Sequence, residues 1–265
     1  MGYKAGELER LHIELYDILS KFIEVCDRMG IGYFIIGGSA VGAHFDGAIL
    51  PWDDDIDVGM ERREYERFLD IADAELPEGY VLQSPDNEPN TPYYFAKVRK
   101  CGTRFEADDE FGLEMHHGIY IDIFPMDRVP DQQLLERFQR GLVRFFGNAF
   151  VATTIKLPNG GVVQKWMVDS FATLFGKRLI YKMLKWSQTL FNGRETKYIS
   201  IVRMDRDHIR RATITPPDRR MFGPLEVNAP SDLLTYLEWH YPGLHRDLSE
   251  EEQINHSPRV LSFED

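Results

Sequence analysis

An apolar run that stops on two glycines, YFIIGG at residues 33–38, leads into four aspartates within five positions, Asp53, Asp54, Asp55 and Asp57. Four carboxylates this close cannot all stay ionised in a compact fold without a cation to join them; otherwise their pKa values rise and some take up protons. The flanking residues limit how they can be arranged. YFIIGG reads as a buried strand ending in a tight turn. SAVGAHF reads as the opening of a helix, with Ser39 near its N-cap. Ile56 and Val58 then alternate with Asp55, Asp57 and Gly59, a strand pattern that sets Asp55 and Asp57 on one face.

The rest of the chain gives an α/β pattern. Residues 7–29 space Leu8, Leu11, Leu15, Ile18, Leu19, Phe22, Cys26 and Met29 as a helix, and Gly30 reads as its stop. ERREYERFLDIADAEL is helical, with Tyr65, Phe68, Leu69 and Ala72 inward. Residues 80–84 and 93–105 hold strand-like pieces around a Pro/Asn-rich loop. GIYIDIFPMD alternates again, with Asp122 in its middle and Asp127 in a turn after Pro125. From Asp131 the pattern is mostly helical to about residue 192, and a polar tail follows. The β-rich part is therefore residues 31–127.

A net charge of −12 over 265 residues disfavours bulk nucleic-acid binding. The two cysteines, Cys26 and Cys101, need not pair, so a reducing compartment is expected. MGYKAGELER lacks the apolar core of a signal peptide, and no apolar run reaches ~18 residues. A cytoplasmic protein, or one at the inner face of the membrane, is the expectation.

Three elements converge on one chemistry. Gly37, Gly38 and Ser39 form a turn at a helix start, which suits phosphate binding. Asp55 and Asp57 can share a hard cation, and magnesium is commonly held by one or two carboxylates plus substrate phosphates. Asp122, from a later strand, can complete the metal site or take a proton. Lys97 and Arg99, at i and i+2, share a face and can meet phosphates, or can simply be an exposed strand face. Asp53 and Asp54 fit the loop, tuning the field or capping. A solvated acidic loop is the plain alternative. An EF-hand is excluded, because its Gly position falls on Val58. His116-His117 lacks zinc-ligand spacing and reads as structural.

GGSAVGAHFDGAILPWDDDIDVGM followed by YIDIFPMDRVP resembles the LicD family, related to the fukutin-type proteins. FAKVRKCGTRF (95–105), FGPLEVNAPSDLLTYLEWHYP (222–242) and the late His256 are similar to further family segments. At Asp46 this chain is acidic where family members commonly carry a basic stretch. The resemblance implies a nucleotidyltransferase-like mixed sheet with N-terminal and C-terminal helical additions. It divides the chain into a catalytic core, residues 1–130, and a mainly helical part, residues 131–265, that contributes to the acceptor site. It implies transfer of a phosphocholine-like group from a CDP-choline-like donor to a hydroxyl of a cell-surface glycan or its lipid-linked precursor, such as lipopolysaccharide or teichoic acid. The implied site has Asp55, Asp57 and Asp122 as catalytic metal ligands for Mg2+ or Mn2+, with Gly37, Gly38, Ser39, Lys97 and Arg99 toward the donor. Transfer of the nucleotide monophosphate itself, or a non-catalytic binding module on the same fold, are the alternatives. Residues 170–194 contain no Asp or Glu. Leu179, Met183, Trp186 and Leu190 form one apolar stripe there, beside Arg178, Lys182 and Lys185. That helix either packs on the core or meets an anionic membrane.

Overall fold

The computed structural model describes residues 3–155, 162–201, 208–246 and 255–264. Helix α1 (Glu7–Met29) buries Leu11, Leu15, Ile18, Leu19, Phe22 and Cys26 along one side. It stops at Gly30, whose φ of 60° lets the Ile31 N–H turn back to the Cys26 carbonyl. The chain then runs through β1 (Phe34–Ile35), α2 (Gly37–Phe45), β2 (Asp57–Glu61), α3 (Arg62–Glu75), β3 (Tyr80–Gln83), β4 (Ala96–Lys100), β5 (Arg104–Glu106) and β6 (Tyr120–Val129). Two long helices follow, α4 (Gln133–Ala152) and α5 (Val162–Thr189). After them come β7 (Tyr198–Ile201), β8 (Ile209–Arg210), β9 (Asp218–Phe222), β10 (Leu225–Ala229), α6 (Leu233–His240) and β11 (Val260–Ser262).

Seven strands make one mixed sheet, ordered β1-β2-β6-β4-β3, with β7 and β8 continuing from β6. Strand β6 organises it. One edge pairs in parallel with β2, Asp57 opposite Asp122. The other edge pairs with β4 up to Ile123 and with β7 from Met126 onward. Pro125, which has no N–H to give, falls in the gap between those two partners. The strand therefore runs through the proline, and Asp127 lies within β6 rather than in the expected turn. It is buried and held by Arg62 through Nε and Nη2. Ser39 also departs from expectation. Ile36 is the N-cap of α2, and the buried Ser39 hydroxyl accepts the Asp57 N–H at 2.9 Å.

One sheet face carries Val58, Met60, Val98, Ile121 and Ile123 into a core with α1 and α3. The opposite face carries Asp57 and Asp122. That face is bordered by α2 and α6 in one cluster and by the α4–α5 hairpin in another. The tail beyond residue 192 is less plain than its composition suggests, because it adds β7 and β8 to the main sheet and pairs β11 with β5.

Helix α5 breaks at Gly176, where φ is 67°. Its second half buries Ile180, Tyr181, Leu184, Ser187 and Gln188. The stripe read from sequence, Leu179, Met183, Trp186 and Leu190, lies on another side, with Leu179 43% and Trp186 54% exposed.

Candidate active site

The site forms where β1 turns into α2 above the paired starts of β2 and β6. Gly37 has φ of 58°, and a Cβ there would collide with Asp57 Oδ2. A Cβ on Gly38 would stand 2.6 Å from Asp53 Oδ2. The two glycines thus let the helix start approach the acidic cluster as closely as it does. The Gly37 N–H itself donates to the Tyr236 hydroxyl at 3.2 Å.

Asp55, Asp57 and Asp122 offer carboxylate oxygens that all lie within 4.8 Å of one another. Burial, then Asp55, Asp122 and Asp53, push Asp57 well above the ordinary carboxylate range. Burial raises Asp55 to about 6; His256 opposes that rise, while Asp122 and Asp54 add to it. Burial, Asp55 and Asp54 raise Asp53 to about 8. Asp122 is raised by burial although Lys97 pulls it down. Such shifts mark carboxylates gathered with too little positive charge, and a divalent cation would reverse them. An all-oxygen trio fits magnesium or manganese.

Asp54 behaves differently. Burial raises it, but His256, the Tyr3 hydroxyl and backbone N–H groups outweigh burial and hold it below the usual range. It accepts from Tyr3 at 2.5 Å, from the His256 N–H at 2.9 Å and from the Ser257 N–H at 3.0 Å. The His256 ring stands 3.0 Å from Asp54 and 3.4 Å from Asp55. The hydrogen bond to Asp54 raises His256 to about 9 despite burial. With its oxygens so fully engaged, Asp54 is a clamp for the loop rather than a ligand.

The two basic residues expected at the phosphates are placed differently. The Lys97 ammonium lies 2.6 Å from Asp122 and 3.4 Å from the centre of the Tyr120 ring, so it joins the cluster through Asp122. Arg99 is fully buried and faces no ligand space. Its guanidinium bonds Glu110 at 2.7 Å, Gln83 at 2.7 Å and the Gly118 carbonyl at 2.9 Å. It is neither a phosphate contact nor an exposed strand residue. Replacing Arg99 by Ala will leave the buried Glu110 carboxylate with only His117 as a charged partner and lower unfolding free energy by about 3–5 kcal/mol. The folded fraction should bind donor unchanged, which denaturant titration and calorimetry together will check. Asp46 stays out of the site, paired with Arg246. His117 bonds the Leu113 carbonyl and its Nδ1 lies 3.5 Å from the buried Glu110, while His116 contacts Cys101.

A cavity of about 440 Å³ opens beside Asp57. Its walls include Tyr93, Phe95, Phe124 and Tyr241, with Asp109 at the rim. Tyr93 and Phe95 are 5.3 Å apart between ring centres, and Phe95 and Phe124 are 4.5 Å apart. The Tyr93 hydroxyl donates to Asp109 at 3.1 Å. None of these five was singled out in the sequence. The run TPYYF offered only an aromatic cluster after a loop, with no spacing that marks a pocket.

Residues 30–134 match the family model described as LicD/FKTN/FKRP, nucleotidyltransferase domain. Over 135 residues the chain is 33% identical to the lipopolysaccharide cholinephosphotransferase LicD of Haemophilus influenzae, covering 49% of each chain. An uncharacterized protein of Rickettsia typhi is 24% identical over 141 residues, 52% of this chain and 43% of that one. The chain thus spans about half the length, or less, of these curated relatives.

Proposed function

We propose, from the match of residues 30–134 to the LicD/FKTN/FKRP nucleotidyltransferase model, that this chain is a LicD-family protein and transfers a phosphocholine-like group from a nucleotide-diphosphate donor, CDP-linked, to a hydroxyl of a cell-surface glycan or its lipid-linked precursor. The core, residues 1–130, is read as a nucleotidyltransferase-like fold, with residues 131–265 bordering the acceptor side. The observation that carries the reading is one cavity that joins acidic and aromatic surface. Asp57, in its lining, belongs to the acidic trio. Tyr93, Phe95, Phe124 and Tyr241 line the same cavity with Asp109; the Lys97 ammonium already lies 4.3 Å from the Tyr93 ring centre and 5.4 Å from that of Phe95, and such aromatic faces suit a weakly hydrated cation. Phosphocholine is anionic at one end and a quaternary ammonium at the other.

Asp55, Asp57 and Asp122 would hold Mg2+ or Mn2+. A bound divalent ion would neutralise the donor's pyrophosphate and the departing nucleotide monophosphate. The protein supplies the rest by position. Gly37 and Gly38 let the start of α2 lie directly against the Asp57 and Asp53 carboxylates. Lys97 fixes the Asp122 carboxylate and lessens its repulsion from Asp55 and Asp57. That pairing favours Asp122 as a ligand over a free general base. The aromatic wall sets the head group so that the donor phosphate faces the acceptor hydroxyl.

Thermal melting with cytidine, uridine and guanosine diphosphate conjugates, each with and without magnesium, tests this reading. CDP-choline with magnesium should raise the melting temperature most. CDP-glycerol, which lacks the cationic head, should raise it less. Equal shifts for both would remove the aromatic assignment. Mass spectrometry of the modified acceptor would show phosphocholine addition; addition of the nucleotide monophosphate would overturn the proposal in favour of nucleotidyl transfer.

A further inference from the structure

The charge of the chain is unevenly distributed. Residues 133–194 carry ten Lys/Arg and two Asp/Glu, in a sequence that holds 31 and 43 in all. This stretch is the α4–α5 hairpin and its exit. Several of its large apolar side chains are exposed. Leu134 is 80% exposed and Phe138 59% on α4; Trp166 is 69% and Leu174 76% exposed on the first half of α5. Leu179 and Trp186 extend the exposed apolar surface onto the second half. Arg137, Arg144, Arg178 and Lys182 make no ion pair among the described residues, whereas Lys185 is taken by Glu66. No helix among the described residues is long and apolar enough to cross a membrane.

We propose that the α4–α5 hairpin is a docking surface for an anionic lipid bilayer, lying in the headgroup region without spanning it. Two features select this occupant. Exposed Trp, Leu and Phe side chains beside unspent cations match an interface with an apolar interior and a negative surface. Tryptophan in particular settles at headgroup depth. A second copy of this chain would bring like charges together on the same face. A nucleic acid would match the cations and leave the aliphatic side chains against water. The hairpin also borders the active cavity, since Val151 on α4 and Ile155 just after it line its wall. Docking would therefore bring the cavity near the bilayer surface. The docking itself does not depend on turnover, so it and the proposed activity can fail separately.

Co-sedimentation of the full chain with vesicles of phosphatidylglycerol and phosphatidylcholine, against phosphatidylcholine alone, tests it. Binding is expected to the anionic vesicles at low salt, with release at high salt. The double variant Arg178→Glu, Lys182→Glu should partition roughly thirtyfold less or weaker still. Leu179→Ser with Trp186→Ser should also bind less. Both variants should melt like the parent, because the altered side chains lie on the exposed side. Absence of binding at low salt, or equal binding by the charge-reversed variant, would overturn the proposal. So would a concentration-dependent dimer lost in the Leu179→Ser, Trp186→Ser variant, or binding to RNA but not to vesicles.

Discussion

Replacing Asp57 by Asn will lower turnover at least about a thousandfold and will raise, not lower, the melting temperature of the metal-free protein. The two effects share one cause. Asp57 is crowded by burial, Asp55, Asp122 and Asp53, and its carboxylate is tolerated in the metal-free fold mainly when protonated. Asn keeps the shape and removes the charge. The sign follows from linkage: a carboxyl whose folded pKa exceeds its unfolded value takes up protons on folding. Its stabilising contribution is complete below the unfolded value, about 4, and is lost as pH rises through the folded value. For Asp55 that loss runs to about 6 and for Asp53 to about 8. The metal-free protein should therefore melt progressively lower between roughly pH 4 and 8, and Asp57→Asn should flatten that decline. Asp54 has the opposite sign, and its contribution disappears only as pH falls through its lowered pKa. Melting curves across pH, with and without magnesium, check all of this. Ordinary turnover by Asp57→Asn, or a metal-free variant that melts lower, would dismiss the assignment.

Gly37→Ala should cost about a hundredfold in turnover. The added methyl meets Asp57 Oδ2, so either the carboxylate or the start of α2 must move. Backbone strain alone cannot account for such a loss, and Gly30 supplies the control. It has φ of 60° and nothing within 4 Å of a Cβ. Gly30→Ala should therefore incur the left-handed strain, about 1–2 kcal/mol of stability, and leave turnover intact. If both variants lose activity alike, close approach to Asp57 is not what Gly37 provides.

The elements readable from sequence were those whose signal is local. Helix α1 and its Gly30 stop, the glycine turn into α2 and the strand faces of Asp57 and Asp122 all rest on periodicity or on a backbone need of glycine; Asp55 lies just before β2 rather than on the strand, yet its carboxylate joins theirs. What was illegible depended on partners far along the chain. Pro125 looked like a turn signal because nothing nearby shows that β6 exchanges β4 for β7 at that point. Arg99 has the same local pattern whether it meets a phosphate or the buried Glu110. Helix α5 carries two apolar sides, and sequence alone favoured the more regular one. The structure buries the side bearing Ser187 and Gln188, polar residues whose hydroxyl or backbone carbonyl is bonded within the hairpin. Tyr93, Phe124 and Tyr241 come from three separate segments, and only folding makes them one wall.

The clamp on Asp54 has a consequence in time. The N–H groups that close over it belong to residues 202 and 203 positions later. At synthesis rates of about 5–20 residues per second, that separation is a delay of roughly 10–40 seconds. During it, strand β2 and the aspartate loop exist without His256 or Ser257. The loop that positions the carboxylates acquires its last restraint only when the chain beyond residue 257 has emerged. Completion of the clamp therefore waits on residues 256 and 257, which are synthesised after the other segments of the site described above.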